Sequence, residues 1–148
     1  FRLRFRSAPP DAVRGAPQPI PVLVPARRIL LVDDDDPVRR TLAALLRASG
    51  QEVFEAASGA EAVAQLQSTP VEVVLTDLGM PGITGWDVAR AAKAQDPRLP
   101  VVLLTGWGDH VTAEAPPGIR VDRVLTKPVP RSAVLAVIAE LATESRPS

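Results

Sequence analysis

Charged and hydroxyl side chains follow four apolar segments of the sequence. In chain order these side chains are Asp33 with Asp34, then Asp77, Thr105 and Lys127. In an open parallel sheet, ligands bind at the carboxyl ends of the strands. If the four segments are strands of one such sheet, the sequence predicts one site there. Its carboxylates could hold a cation, and its hydroxyl and ammonium groups could bind an anion.

Composition excludes several other kinds of function. The chain has 17 basic and 17 acidic residues, so its lack of net charge gives no electrostatic reason to expect nucleic acid or an anionic membrane as a partner. It has no cysteine, which excludes disulfides, thiolate nucleophiles and cysteine-based zinc sites. The apolar stretches are shorter than the ~18 residues of a membrane span. A protein or a small molecule is the expected partner.

The first 26 residues differ in pattern from the rest. Residues 1–6 alternate Phe or Leu with Arg, and we interpret them as the last strand of an upstream domain. The alternative is a basic expression scar or a disordered tail. Residues 7–26 contain six prolines, which favour extended conformations and predict a linker. Residues 27–144 are then one domain.

From residue 27 onward, strand patterns alternate with helix patterns, which is typical of a parallel sheet covered on both faces. The predicted strands are Arg28 to Val32, Glu52 to Ala56, Val71 to Thr76, Val101 to Leu104 and Arg120 to Thr126. Right-handed crossovers between such strands give a doubly wound α/β sheet.

Cap and turn residues predict five helices. Asp36 can cap the first helix, and Pro37 fits its first turn. The apolar residues Val38, Leu42, Leu45 and Leu46 of the first helix recur at helical spacing. Ser58 and Glu61 form a capping box for the second helix, and the third and last cover about residues 84–95 and 131–143. Flanking Gly and Pro residues leave only about residues 109–115 for the fourth, which is predicted to be at most two turns long.

Four motifs stand in order at the predicted strand ends: Ile29 to Asp35, Asp77 to Gly82, Leu104 to Gly106, and Lys127-Pro128. With these motifs and their spacing, residues 27–144 resemble the receiver domains of two-component response regulators. The resemblance implies a flavodoxin-like fold with strand order 2-1-3-4-5, in which strands one and three are neighbours. Asp33, Asp34 and Asp77 would then converge.

Three converging carboxylates need compensation. Like charges about 4 Å apart repel by roughly 4 kcal/mol at an effective dielectric constant near 20, so the cluster needs a cation or protons. Carboxylates suit Mg²⁺, which uses few protein ligands and keeps several waters. By resemblance, Asp34, the Asp77 carboxylate and the backbone carbonyl of Gly79 coordinate Mg²⁺ directly, and Asp33 acts largely through water.

The resemblance also assigns the phosphoryl chemistry. Asp77 would be the nucleophile that forms an aspartyl phosphate. Lys127 and the Thr105 hydroxyl would bind phosphoryl oxygens, and Gly106 would leave room for the group. Pro128 resembles a cis-proline that aims the lysine inward. By contrast, we interpret Asp35 and Asp36 as helix-cap and first-turn charges.

Two departures from the family pattern concern output. Many receivers carry an aromatic residue where this chain has Val124, and the fourth helix, at about 109–115, is short. The face formed by helix four, strand five and helix five is often the output and dimerisation face of the family. We therefore expect this domain to act as a phosphoryl acceptor or relay and not to signal by that face.

The resemblance implies a cytoplasmic domain that takes a phosphoryl group from the phosphohistidine of a histidine kinase. The acceptor would be a histidine phosphotransfer protein or water. Residues 1–6 and the linker suggest the C-terminal receiver of a hybrid sensor kinase, with the donor on the same polypeptide. A stand-alone regulator is the other possibility. Neither nucleic acid nor direct membrane contact is expected.

Two further function classes remain open. A phosphatase of the haloacid dehalogenase type has its nucleophile in an Asp-x-Asp at the end of the first strand, and Asp33 to Asp35 satisfies that pattern. Pro37 stands where Thr or Val is expected, which argues against it. The other class is a degenerate receiver that only binds partners. Intact Asp77, Thr105 and Lys127 argue against that class.

Overall fold

The computed structural model describes residues 26–106 and 116–144. Its strands are β1 (Arg28–Val32), β2 (Glu52–Ala56), β3 (Val73–Asp77), β4 (Val101–Thr105) and β5 (Arg123–Thr126). Its helices are α1 (Asp36–Ala48), α2 (Gly59–Ser68), α3 (Gly85–Gln95) and α4 (Arg131–Glu144). The predicted strand at residues 1–6, the linker through residue 25 and the short helix at 109–115 lie outside the described residues. None of the described helices is long and apolar enough to cross a membrane.

The five strands form one parallel sheet in the order β2-β1-β3-β4-β5. This order confirms the predicted flavodoxin-like, doubly wound fold. The register brings the strand ends level: Val32 lies opposite Thr76, Asp77 opposite Leu104, and Thr105 opposite Thr126. Residues that follow the strands therefore meet at one edge of the sheet.

Apolar side chains cover both faces of the sheet. Successive strand residues point to opposite faces, so Ile29 and Leu31 pack in one cluster while Leu30 and Val32 pack in the other. The first cluster includes Leu46 from α1 and Ile138 from α4, and the second includes residues of α2 and α3. Because β1 is buried on both faces, it supplies a rigid support for the residues that follow it.

The start of α1 differs from the prediction. Asp35, not Asp36, is the N-cap, and its carboxylate accepts the N–H of Val38 at 3.2 Å. Asp36 is the first residue of the helix and pairs with Arg39 at 2.6 Å. Val38, one of the apolar residues at helical spacing, is 41% exposed, and the helix buries Arg39, Ala43 and Leu46.

The strands β3 and β5 begin later than predicted, at Val73 and Arg123. In each case a carboxylate takes a backbone N–H of the neighbouring strand. Glu72 accepts from the N–H of Arg28 at 3.0 Å, and Asp122 accepts from the N–H of Val101 at 2.8 Å. If the strand pairing continued, a backbone carbonyl would accept each of these N–H groups, and here a side-chain carboxylate takes its place.

Candidate functional site

The turn between β1 and α1 fixes Asp33 in a buried position. The residue is 2% exposed, and its Oδ1 accepts the N–H of Asp35 at 2.9 Å. Its Oδ2 accepts from the Lys127 ammonium at 3.0 Å. A buried carboxylate is costly unless it is paired and hydrogen-bonded, and both oxygens of Asp33 meet that condition.

Three carboxylates converge at the carboxyl edge of the sheet, as predicted. One oxygen each from Asp33, Asp34 and Asp77 can be chosen so that all three lie within 4.8 Å of one another. Asp33 is buried, Asp77 is half-buried and Asp34 is exposed, so the cluster opens toward solvent on one side. Hard oxygen donors in this arrangement suit Mg²⁺, which keeps several of its waters.

Lys127 reaches the cluster from the opposite half of the sheet. Its ammonium lies 3.0 Å from Asp33 and 3.2 Å from Asp77, although β5 is two strands away from β3. Neighbouring strands are about 4.8 Å apart, so only a long side chain spans that gap. The Lys127-Pro128 peptide bond is cis, as the resemblance implied, and the Lys127 N–H donates to the Thr105 carbonyl at 2.7 Å.

The pKa values of Asp77 and Lys127 reflect this crowding. Burial raises the pKa of Asp77, and the charges of Asp33 and Asp34 raise it further, while Lys127 pulls it down without cancelling the shift. Burial alone would lower the pKa of Lys127, but the contacts with Asp33 and Asp77 outweigh burial and raise it. Lys127 is therefore a permanent cation at neutral pH, and an ionised Asp77 carries unfavourable electrostatic energy.

The other predicted site residues lie at the same edge. Thr105 ends β4 and is 4% exposed, one position after Leu104, the register partner of Asp77. Gly79 and Gly106 are exposed, and a Cβ added at either would meet nothing within 4 Å. Val124 lies in β5 and is partly buried.

Gly85 joins α3 to the end of β3, a contact that sequence reasoning missed. A Cβ on Gly85 would lie 2.5 Å from the carbonyl oxygen of Asp77 and 2.9 Å from the Cα of Leu78. Real Cβ atoms do not approach other atoms this closely. The start of α3 therefore packs directly on the main chain of Asp77. A glycine at a helix start has many uses, so the sequence offered only a weak signal.

Arg39 and Glu55 were also missed. Arg39 is 7% exposed, and its guanidinium contacts both Glu55 and the Asp33 carbonyl. The sequence did indicate a buried position for Arg39. It precedes Ala43 by four residues and Leu46 by seven, which places all three on one stripe of α1. A charged residue on an apolar stripe indicates a specific buried partner.

The phosphatase alternative does not fit this geometry. In an Asp-x-Asp site the acting carboxylates would be those of Asp33 and Asp35. Both oxygens of Asp33 are engaged inside the protein, and Asp35 is exposed and caps α1. The more exposed carboxylates of the cluster are Asp34 and Asp77.

Comparison with known proteins agrees with the site. Residues 29–139 match the model of the response regulator receiver domain. The response regulator receiver protein CpdR of Brucella abortus is 36% identical over 102 residues, which are 69% of this chain and 85% of CpdR. The transcriptional regulatory protein GlrR of Escherichia coli is 33% identical over 120 residues, covering 81% of this chain but only 27% of GlrR.

Among solved structures, a similar one is the receiver domain of the sensor histidine kinase PA1611 from Pseudomonas aeruginosa. The TM-score is 0.73 at 25% identity, over 80% of this chain and 98% of that domain. That structure has a magnesium ion coordinated in its active site cleft. The family model covers most of the described residues, and the strand order and the acidic cluster agree with it. The chain therefore belongs to the response regulator receiver domains, the phospho-accepting modules of two-component signalling.

Proposed function

We propose that Asp77 is the phosphoacceptor of this receiver domain and that its phosphorylation requires Mg²⁺. The observation that carries the proposal is the position of the Asp77 carboxylate. It has an ammonium group 3.2 Å away, and two further carboxylates offer oxygens within 4.8 Å. An adjacent cation together with a metal-binding cluster is the arrangement that phosphoryl transfer needs.

The residues present fit Mg²⁺. Asp34, Asp77 and the Gly79 carbonyl would hold the ion, with Asp33 acting largely through water. These are hard oxygen donors, and the exposed side of the cluster leaves space for waters and a phosphoryl oxygen. When bound, the metal supplies charge neutralisation for the phosphoryl oxygens.

The reaction moves a phosphoryl group from a histidine nitrogen to a carboxylate oxygen. An oxygen of Asp77 attacks phosphorus, the P–N bond breaks, and its electron pair leaves with the imidazole nitrogen, which then takes up a proton. Lys127 exchanges its Asp77 contact for a phosphoryl oxygen, and the Thr105 hydroxyl donates to another. The buried Asp33 keeps Lys127 charged and correctly aimed.

A groove beside the site suits the donor. It has a volume of about 570 Å³, and Val38, Leu42 and Leu45 of α1 line it together with Lys127 and Val129. Receiver domains work with histidine kinases or phosphotransfer proteins. Because Lys127 lines both the groove and the acidic site, we propose that the helix carrying the phosphohistidine docks here, with its apolar residues against the exposed Val38.

A substitution in the groove separates docking from chemistry. Val38→Asp should slow phosphorylation by a histidine kinase at least tenfold and leave phosphorylation by a small acyl phosphate unchanged. The matched control is Val63→Asp on α2, which is partly buried and does not line the groove. Equal rates for Val38→Asp and wild type with the kinase would refute the docking proposal alone.

We also propose that the donor is part of the same polypeptide, as in hybrid sensor kinases, and that the domain works in the cytoplasm. The pattern of residues 1–26 supports this, as does the likeness to the receiver of PA1611, which is a sensor histidine kinase. Transfer within one chain has a rate that does not depend on protein concentration. A rate that rises in proportion to concentration would instead indicate a separate donor.

The role in signalling is proposed to be that of an acceptor or relay. Val124 replaces the aromatic residue that many receivers carry on strand five. Phosphorylation should therefore leave the domain monomeric, as sedimentation before and after phosphorylation would reveal. A phosphorylation-dependent dimer that Val124→Asp disrupts would contradict this role.

The central experiment is intact-protein mass spectrometry after incubation with an acyl phosphate and Mg²⁺. Wild type should gain one phosphoryl group, only with Mg²⁺, and Asp77→Asn should gain none. Asp35→Asn is the matched control, because Asp35 is an exposed helix cap close to the site, and it should behave as wild type. Donor consumption without an adduct would indicate rapid hydrolysis. No adduct and no consumption would support the degenerate, binding-only alternative.

A further inference from the structure

Arg39 is a buried cation that the proposed chemistry does not use. Its side chain is 8% exposed. A guanidinium removed from water costs several kcal/mol unless its donors are matched by acceptors. The contacts that Arg39 makes therefore indicate why a charge lies inside the domain.

The guanidinium connects three parts of the chain. Its Nη1 donates to the main-chain carbonyl of Asp33 at 2.9 Å and to the Asp36 carboxylate at 2.6 Å. Its Nε donates to Glu55 on β2 at 3.1 Å. Glu55 also pairs with Arg47 at 3.0 Å. Arg47 donates in addition to the carbonyl of Val53 and has no contact with Asp33 among the hydrogen bonds of the described residues.

All hydrogen-bonding groups of Asp33 are engaged. Its N–H donates to the Ala56 carbonyl at 3.1 Å, and its two carboxylate oxygens accept from the Asp35 N–H and from Lys127. Its carbonyl accepts from Arg39. That carbonyl lies in the same rigid peptide plane as the N–H of Asp34. A donor that holds the oxygen therefore fixes the direction in which the chain enters Asp34.

The acidic site needs this constraint. Asp34 is exposed, so packing does not hold its side chain, yet its carboxylate must stay within 4.8 Å of those of Asp33 and Asp77. Repulsion between the three carboxylates favours an outward rotation of the Asp33–Asp34 peptide. A charged donor on the Asp33 carbonyl opposes that rotation, since hydrogen bonds to charged groups are about twice as strong as neutral ones.

We propose that Arg39 is a positioning residue for the metal site. Its guanidinium holds the Asp33–Asp34 peptide so that the Asp34 carboxylate faces Asp77 at metal-binding distance. The inference rests on the magnesium site proposed above. Side chains that orient metal ligands from outside the coordination sphere typically change metal affinity by about 10- to 100-fold when they are removed.

Titration calorimetry with Mg²⁺ tests the proposal on three variants of the whole chain. Arg39→Met should raise the dissociation constant for Mg²⁺ about tenfold or more. Arg47→Met is the matched control, because it removes an arginine from the same Glu55 but leaves the Asp33 carbonyl bonded. Its dissociation constant should stay at the wild-type value. Arg39→Lys keeps the charge but not the planar set of donors, so its affinity should be intermediate.

A kinetic readout distinguishes positioning from general loss of structure. At saturating Mg²⁺, the rate of Asp77 phosphorylation in Arg39→Met should return to the wild-type value, because Lys127, Thr105 and Asp77 are unchanged. A structural defect would lower the rate at every Mg²⁺ concentration. If Arg39→Met does not fold, Arg39→Lys decides alone, and a wild-type dissociation constant in that variant overturns the proposal.

Failure of the inference about Arg39 can be distinguished from failure of the proposed magnesium site. If wild type binds Mg²⁺ and Arg39→Met binds it equally well, the inference about Arg39 is wrong and the magnesium site stands. Equal weakening by Arg39→Met and Arg47→Met also overturns it, because the common cause would be the loss of a Glu55 partner. If wild type itself binds no Mg²⁺, the proposed function fails, and the inference fails with it.

Discussion

Removing the Asp77 carboxylate should stabilise the domain in the absence of metal. Asp77→Asn keeps the size of the side chain and deletes one charge from the cluster of three. The ionised carboxylate is half-buried, and it is close to Asp33 and Asp34. The expected result is a higher free energy of unfolding for the variant at neutral pH in a chelator.

Three effects set the size of this gain in stability. Repulsion by carboxylates and loss of hydration destabilise the ionised Asp77, and attraction to Lys127 stabilises it. A unit charge on Asp33 within 4.8 Å repels Asp77 by about 3.5 kcal/mol at an effective dielectric constant near 20, and the exposed Asp34, which water screens, adds a smaller repulsion. The Lys127 ammonium at 3.2 Å attracts it by about 5 kcal/mol in the same medium. Removing a carboxylate from water costs several kcal/mol, which exceeds the small difference between these two effects. We expect Asp77→Asn to gain about 1–2 kcal/mol in unfolding free energy.

The gain should depend on pH in a defined direction. Burial raises the pKa of Asp77 in the folded state, so this state keeps its proton at pH values where the unfolded chain has lost it. Stability from this residue therefore falls as pH rises through the window that starts at the ordinary Asp pKa of about 3.9 and ends at the raised folded value. The advantage of Asp77→Asn should vanish below this window and be complete above it.

Urea unfolding in chelator and in Mg²⁺ is the assay. At roughly 100 times its dissociation constant, Mg²⁺ should stabilise wild type by about 2.7 kcal/mol and Asp77→Asn by much less, which inverts their order. Asp35→Asn is the matched control, since Asn caps helices as well as Asp and the change should stay within about 0.5 kcal/mol. The reasoning is refuted if Asp77→Asn is less stable than wild type in chelator, or if Mg²⁺ stabilises both equally.

Three further substitutions test other parts of the structure. Lys127→Met leaves the buried Asp33 without its cation and should lower the free energy of unfolding by about 3 kcal/mol in chelator, with part of the loss recovered in Mg²⁺. No loss in urea unfolding would contradict the ion pairs at 3.0 and 3.2 Å. Gly85→Ala places a Cβ 2.5 Å from the Asp77 carbonyl, so it should lower the free energy of unfolding by at least about 2 kcal/mol and slow phosphorylation. Gly106→Ala is the control, because its Cβ has open space around it and thermal stability should change little. Asp122→Asn at the opposite edge should lose its contact with Lys93 and about 1–2 kcal/mol in thermal unfolding, without any change in Mg²⁺ affinity.

The architecture and the acidic cluster could be predicted because both follow from local patterns. Apolar runs mark the strands, caps mark the helices, and parallel strands bring their ends to one edge. Asp33, Asp34, Asp77 and Lys127 converge for that reason. The roles of these residues in metal binding and phosphoryl transfer remain predictions that the experiments above address.

The errors arose where a side chain replaces a backbone partner. Glu72 and Asp122 accept strand N–H groups from neighbours more than 20 positions away, so nothing local marks where β3 and β5 begin. The cap of α1 had two adjacent candidates, of which Asp35 caps the helix while Asp36 pairs with Arg39. The contacts of Glu72 and Asp122 depend on the assembled sheet and not on the local pattern.

The absence of a side chain at Gly85 has a mechanical consequence. A layer of side chains between two elements can absorb small shifts, because the rotamers adjust when one element moves. Here α3 rests on the carbonyl of Asp77 with no such layer, and the carbonyl and side chain of Ile83 lie close against Gly59 at the start of α2. A movement of the Asp77 main chain would therefore displace α3 directly. Through the contact of Ile83 with Gly59, the displacement would also reach α2.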